Sequence, residues 1–217
     1  DDEQNISLDK LGASHWQKRK AEAKKRIQEV AKKLISIAAK RLESQSYKIN
    51  FNPSDYDKFS STFPYVETDD QLSAIEDVID DFKKVNPSDR LIVGDVAFGK
   101  TEVIIRALYL AVKSNLQCIV LVPTTLLAKQ HFENFTKRFE PFNIIVKQIS
   151  RFISNKDKIK VYEEIQNGTA QIIVGTHALL SDKIVFNKLG LIVYDEEQKL
   201  GTLQKERFKE IAPNAHV

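Results

Sequence analysis

The chain contains no methionine and a single cysteine in 217 residues. At an ordinary usage of roughly 2%, about four or five methionines would be expected. With no initiator residue either, the sequence reads as an excised or processed piece of a longer protein. One cysteine, Cys118, excludes an internal disulfide and fits a reducing compartment. Within the apolar stretch Gln117 to Pro123 it reads as a small hydrophobe of a buried strand. No apolar run approaches the roughly 20 residues of a membrane span. The acidic, polar start is no signal peptide. A soluble, cytoplasmic protein with no membrane partner is therefore expected. His15, His131 and His216 show no metal-ligand spacing. Disorder-prone composition is absent as well, because hydrophobic residues make up 42% of the chain, enough for a packed core. The length suits one α/β domain with an appendage.

What is present is unevenly distributed. The net charge of +3 hides ten basic residues between Gln17 and Arg41 (Lys18, Arg19, Lys20, Lys24, Lys25, Arg26, Lys32, Lys33, Lys40, Arg41) against Glu22 and Glu29. Between Pro53 and Asp89 the sign reverses, with only Lys58, Lys83 and Lys84 among the acids. The basic stretch is either a nucleic-acid contact or the solvated face of a long helix. Trp16, Ala23, Val30 and Ile37 recur every seven residues, with Ile27 and Leu34 at the offset position, which predicts one amphipathic helix from about Ser14 to Glu43. Such a helix, roughly 45 Å long, lays its apolar stripe either within the chain or against a neighbouring domain. Residues 44–66 read as irregular, with a turn at Asn52-Pro53-Ser54 and several aromatic anchors. Thr68-Asp69-Asp70 caps a predicted helix over 71–84.

From Leu91 onward, strand and helix patterns alternate. Apolar, β-branched runs at 91–93, 117–122, 143–149, 170–174 and 189–194 are separated or followed by helical stretches at 101–114, 125–139, 155–167 and 202–211. Strands buried on both faces and joined by crossover helices predict a parallel sheet and an α/β fold of the P-loop NTPase, RecA-like kind. Gly94-Asp95-Val96-Ala97-Phe98-Gly99-Lys100-Thr101 matches G-x-x-x-x-G-K-[ST] between a predicted strand and a predicted helix, the context a phosphate loop requires. Its backbone N–H groups and the helix N-terminus suit a polyphosphate. Lys100 would reach the β/γ-phosphates and the Thr101 hydroxyl would bind Mg²⁺. The expected cofactors are ATP and Mg²⁺, with Glu102 as the loop's last member.

The last predicted strand delivers Asp195-Glu196-Glu197-Gln198 at its carboxyl end, where ligands of open α/β sheets bind. Asp195 is placed to hold Mg²⁺ and Glu196 to orient or deprotonate an attacking water. Two acids after a strand also describe a plain surface turn, but a phosphate loop earlier in the chain favours the catalytic reading.

Gly94 to Val103, Val122 to His131, Ile149-Ser150-Arg151-Phe152, Gly175 to Leu180 and Asp195 to Gln198 together resemble the successive motifs of superfamily 2 DNA translocases, most closely those of the bacterial transcription-repair coupling factors. The resemblance covers nearly the whole chain, since Leu8 to Gly12 and the basic helix are similar to that family's lead-in to its motor. It implies a lead-in over 1–50 and a first RecA-like lobe over 51–217, with the second lobe and its arginine finger outside this chain. By itself such a piece is expected to be nearly inactive as an ATPase. RecG helicases share the Gly-Asp-Val start and the Gly-Thr-His block but not Phe98, Thr101-Glu102-Val103 or Ser150-Arg151-Phe152.

Carried over by resemblance, Gln71 hydrogen-bonds the adenine edge and Tyr65 stacks on it, although Gln71 also suits an ordinary first-turn position. Pro123, Thr124, Thr125, Ser150, Arg151, Gly175, Thr176 and His177 would contact phosphates of duplex DNA without reading its sequence. His177 is alternatively a satisfied core histidine. The family's Asp-Glu-Glu-His ends here in Gln198, which keeps hydrogen bonding but loses charge at the residue that couples nucleotide to DNA. RNA polymerase and repair proteins are implied partners through regions outside this chain. A nucleotide-dependent protein-interaction module and a RecG-like helicase lobe are the competing readings.

Overall fold

Four of the five predicted strand runs pair into one all-parallel sheet. In the computed structural model, which describes residues 14–95, 98–150 and 155–217, they are β1 (Gln117–Leu121), β2 (Val146–Ile149), β3 (Ile172–Gly175) and β4 (Leu189–Tyr194), in the order β2-β3-β1-β4. Val120 of β1 stands opposite Val174 on one side and Val193 on the other, so the central strand is hydrogen-bonded along both edges. Alternation divides its side chains between the two faces. Cys118 and Val120 join one core cluster while Ile119 and Leu121 join the other. Helices cover both faces, which is why these strands read as continuous apolar runs. Burial pushes the Cys118 thiol far up, so it is an inert core residue.

The helices are α1 (Ser14–Glu43), α2 (Pro53–Ser60), α3 (Asp69–Phe82), α4 (Lys100–Lys113), α5 (Thr125–Phe139), α6 (Asn155–Gln166) and α7 (Thr202–Ile211). The seven-residue repeat gives one unbroken helix of 30 residues with the expected ends. The chain divides into two compact units between Ala39 and Lys40, and the sheet belongs to the second. Within that unit Arg41 is buried and donates to the Pro213 and Ala215 carbonyls and to Asp89. Val96, Ala97, Arg151, Phe152 and the Leu8–Gly12 segment lie outside the described residues.

Two expectations are corrected. Asn52-Pro53 opens a helix rather than a turn: the Asn52 side chain accepts the Ser54 N–H, and Pro53 sits in the first turn, where its missing donor is harmless. The helix is held by Phe59, fully buried between Tyr109 and Phe139. Its eight residues are too few to show a period in the sequence. The second correction concerns Leu91-Ile92-Val93, which forms no strand; Leu91 and Val93 are 68% and 85% exposed. His216 and Val217 sit between β4 and the segment before Leu91. His216 pairs with Gly190 and Ile192, while Val217 pairs with Ser88 and Arg90. That wedge holds Leu91–Val93 off β4 and leaves a cleft of about 710 Å³ between them, with Lys100 and Asp195 among its lining residues.

Candidate functional site

Glycine is required where the phosphate loop meets α4. Gly99 is the N-cap at φ 69°, in the left-handed region, and a Cβ there would lie 2.1 Å from Gln71 Nε2. Lys100, the first helical residue, folds back on the loop: its Nζ donates to the Gly94 carbonyl and, at 2.8 Å, to that of Asp95. Thr101 follows in the first turn, half-buried.

Gln71 touches this loop directly. Its Oε1 accepts the Thr68 N–H, completing a capping box at the start of α3, and its Nε2 donates to the Phe98 carbonyl at 2.9 Å. Both ends of its amide are thus engaged by protein. Tyr65 is 74% exposed and meets Phe63 edge-on at 5.5 Å. Tyr65, Gln71, Phe98, Thr101 and Arg138 help line an open depression of about 620 Å³ beside the loop. Glu102 also borders this depression, but little of it reaches solvent. It is buried and accepts from Arg106 Nε at 2.6 Å and from Arg138 at 3.2 Å. Arg106 in turn donates to Glu67 and to Ser60 Oγ, so the cluster ties α4 and α5 to the segment carrying Tyr65.

At the end of β4, Asp195 is fixed at three points. Its N–H donates to the Leu121 carbonyl at 3.0 Å, Oδ1 accepts the Glu196 N–H at 3.1 Å, and Oδ2 lies 2.7 Å from His131 Nε2. The bond with His131 is the main cause holding its carboxyl below the usual aspartate range; burial opposes it, and Lys100 adds a smaller push in the same direction. Glu196 adopts φ 55°, uncommon for a residue with a Cβ, and accepts from Gln198 Nε2 at 2.8 Å. The first and fourth residues of the acidic motif are therefore both anchored, and Gln198 bonds directly to the expected base. Among the described residues no group of three or more His, Cys, Asp or Glu could hold a metal. Asp195 lines the cleft with Lys100 while Thr101 lines the neighbouring depression; a carboxylate and a hydroxyl are hard oxygen donors of the kind Mg²⁺ takes beside waters and phosphate oxygens.

The other expected contacts leave the same carboxyl edge of the sheet. After β1, Thr124 caps α5 by accepting the Leu127 N–H and stays exposed, with Pro123 before it and Thr125 after. After β2 and β3 the expected side chains turn inward: Ser150 and Thr176 are each only 3% exposed. Gly175 is fixed by packing, since a Cβ would meet the Ile149 carbonyl at 2.6 Å, and His177 is exposed. At these strand ends His177 faces outward, while Ser150, Gly175 and Thr176 are buried. His131 escaped notice in the sequence because it lacks metal spacing. Its signal was of another kind: a polar residue on the stripe that α5 buries with Ala128 and Phe135.

The DEAD/DEAH box helicase family model matches residues 68–216. The chain belongs to that family. This helicase lobe is similar, at 47% identity over 98% of its length, to the transcription-repair-coupling factor of Rickettsia conorii, and at 47% over 97% to that of Borreliella burgdorferi. It spans 19% of the length of each of those relatives. A structure of RecG bound to a three-way DNA junction superposes on 72% of this chain and 22% of its own, with a TM-score of 0.68 and 29% identity. The fold is thus the RecA-like α/β fold of helicases, with the phosphate loop and the acidic motif at one edge.

Proposed function

We propose that this chain is the nucleotide-binding first lobe of an ATP-dependent translocase on double-stranded DNA that acts in transcription-coupled repair and displaces stalled RNA polymerase. The observation that carries the reading is the convergence of Lys100, Asp195 and Glu196 with the Pro123–Thr125 loop on one sheet edge, in a chain nearly half identical to coupling factors along almost its whole length. One surface of this kind can sense both a nucleotide and a DNA backbone. In this reading Lys100 exchanges the Gly94 and Asp95 carbonyls for phosphate oxygens. Gly94, Val96, Ala97, Phe98 and Gly99 supply the loop backbone, and Tyr65 and Gln71 hold the adenine. Glu102 braces that loop through the arginine cluster. Thr101 and Asp195 hold Mg²⁺, which when bound neutralises phosphate charge. Glu196 takes the proton of the attacking water, and Gln198 reports on the DNA side through its bond to Glu196.

On the duplex, Pro123, Thr124, Thr125, Arg151 and His177 form the phosphate-contacting edge, and the buried Ser150, Gly175 and Thr176 anchor the strand ends from which it leaves. Double-stranded DNA is the direct partner. RNA polymerase and repair proteins would bind the longer protein elsewhere, in the cytoplasm. Among the described residues no helix is long and apolar enough to cross a membrane. The RecG likeness supports a second reading, a helicase lobe acting on branched DNA. The test uses the full-length protein: duplex-stimulated ATPase together with release of a stalled RNA polymerase is the expected result. Stimulation by branched junctions without polymerase release would favour the RecG-like reading, and no stimulation by DNA would favour a protein-interaction module.

A further inference from the structure

We propose that His131 is a positioning residue of the nucleotide site: it fixes the Asp195 carboxylate and carries movement of the Pro123–Thr125 loop to that carboxylate through α5. The inference rests on the reading of Asp195 as the Mg²⁺-binding carboxylate. Four observations support it. The first is the bond itself, 2.7 Å between His131 Nε2 and Asp195 Oδ2, with both side chains at least four-fifths buried. A carboxylate oxygen accepts, so in this bond Nε2 carries the hydrogen.

The second is that the two carboxylate oxygens are held from different sides. Oδ1 accepts the Glu196 N–H and Oδ2 accepts from His131. Rotation about the last torsion of an aspartate is otherwise soft, and two bonds on two oxygens fix its plane. The first of these bonds is local to the motif, so the long-range restraint on the carboxylate is His131.

The third is that His131 is rigidly mounted. Its ring packs on Phe135 at 5.1 Å, and Ala128, Phe135 and Phe139 of the same helix are fully buried. The fourth is where that helix starts. Thr124, its N-cap, belongs to the loop expected to meet DNA phosphates, and His131 lies seven residues on, about 10 Å along a rigid rod. The Asp195 N–H also bonds to the Leu121 carbonyl, just before that loop. Displacement of the loop therefore reaches the same aspartate by two routes, one through the backbone and one through His131. A histidine that merely filled space would need neither the bond nor this placement.

The experiment compares wild type, His131→Phe, His131→Asn and His131→Gln in the full-length protein. The phenyl ring keeps volume without a donor, the asparagine amide is too short to reach Oδ2, and the glutamine amide falls near Nε2. Binding of a fluorescent ADP analogue is titrated with Mg²⁺, and ATPase is measured with and without duplex DNA. His131→Phe should raise the Mg²⁺ concentration for half-maximal nucleotide binding about tenfold and lower the ratio of DNA-stimulated to basal ATPase several-fold. Duplex affinity without nucleotide should stay unchanged. His131→Gln should restore both quantities at least in part. Should His131→Phe fail to fold, His131→Asn carries the same expectation. Wild-type Mg²⁺ dependence and wild-type stimulation in a folded Phe or Asn variant would overturn the proposal, as would losses that glutamine does not relieve. A wild type that DNA does not stimulate would refute the translocase reading alone, and the Mg²⁺ titration would still decide the role of His131.

Discussion

Lys100 and Glu196 act at opposite ends of one reaction, and their surroundings make them separable. Lys100 rests on two loop carbonyls with its ammonium free to turn to phosphates, so its removal deletes a cation that binds in ground and transition states alike. Lys100→Ala in the full-length protein should weaken ATP binding at least tenfold. Glu196→Gln keeps the Asp195 ligand and the shape of the turn but removes the base, so hydrolysis should fall by about two orders of magnitude or more while ATP affinity stays within a few-fold. Equilibrium nucleotide binding and single-turnover hydrolysis check the pair. Equal affinity losses in both variants would contradict the assigned roles. Arg151 is a simpler case. A phosphate contact reads no sequence, so Arg151→Ala should weaken duplex binding about equally for all sequences and lower the salt slope by roughly one. An unchanged slope in a salt titration would remove Arg151 from the DNA-facing edge.

Among elements, α4 and α5 depend on a shared buried charge cluster. Glu102 is 4% exposed and faces both Arg106 and Arg138, while Glu67 balances Arg106 from the segment before α3. Removing one partner of such a cluster leaves buried charge uncompensated, which costs about 3–5 kcal/mol. Glu102→Ala should lower stability by about that amount in denaturant titrations, and Glu102→Gln by less, since the amide still accepts. Because the cluster also holds the segment bearing Tyr65, nucleotide affinity should fall in parallel. Little of this was legible beforehand. The phosphate-loop motif marks Glu102 as a neighbour of the nucleotide, yet its side chain is buried because Arg106, one helical turn on, and Arg138, 36 residues away on α5, converge on it. Likewise α2 was hidden in the turn-like pair Asn52-Pro53, which is a helix start only because Phe59 finds a buried aromatic slot.

For the molecule as a whole, acid should weaken the fold in two stages. Burial brings the His216 imidazole from 6.5 down to about 4, against the pull of Asp81 and Asp89. Its Nδ1 accepts the Ser88 N–H and its ring meets Phe82 edge-on. The folded state thus keeps His216 neutral where an unfolded chain takes up a proton. Stability is full above about pH 6.5 and falls as pH drops toward 4, by on the order of 3 kcal/mol for a shift of this size. Asp81 and Asp195, held below 3.8 in the fold, add losses only at still lower pH. Urea midpoints measured from pH 7.5 to 4 should fall for wild type and stay flatter for His216→Gln. A wild type with pH-independent midpoints across that range would show that His216 is not held neutral by the fold.

Local chemistry determined much of this protein. The order of strands and helices follows from hydrophobic period, the boundaries of α1, α5, α7 and β4 from where that period stops, and the phosphate loop from glycine positions that few other structures demand. Such features depend on residues near one another in the chain, and any reader of the sequence meets them together. The tertiary structure alone decided which of these features cooperate. Leu91–Val93 has the composition of a strand, but His216 and Val217 hold the adjacent edge, and a ladder needs a free partner as well as a willing sequence. Ser150 and Thr176 have the hydroxyls of phosphate contacts, yet close packing at the strand ends buries them. His131 closed a motif but had no role until β4 brought Asp195 against it from 64 residues away. Pairing across such distances is set by the sheet order and the helix crossings, which are properties of the packed core rather than of any local stretch.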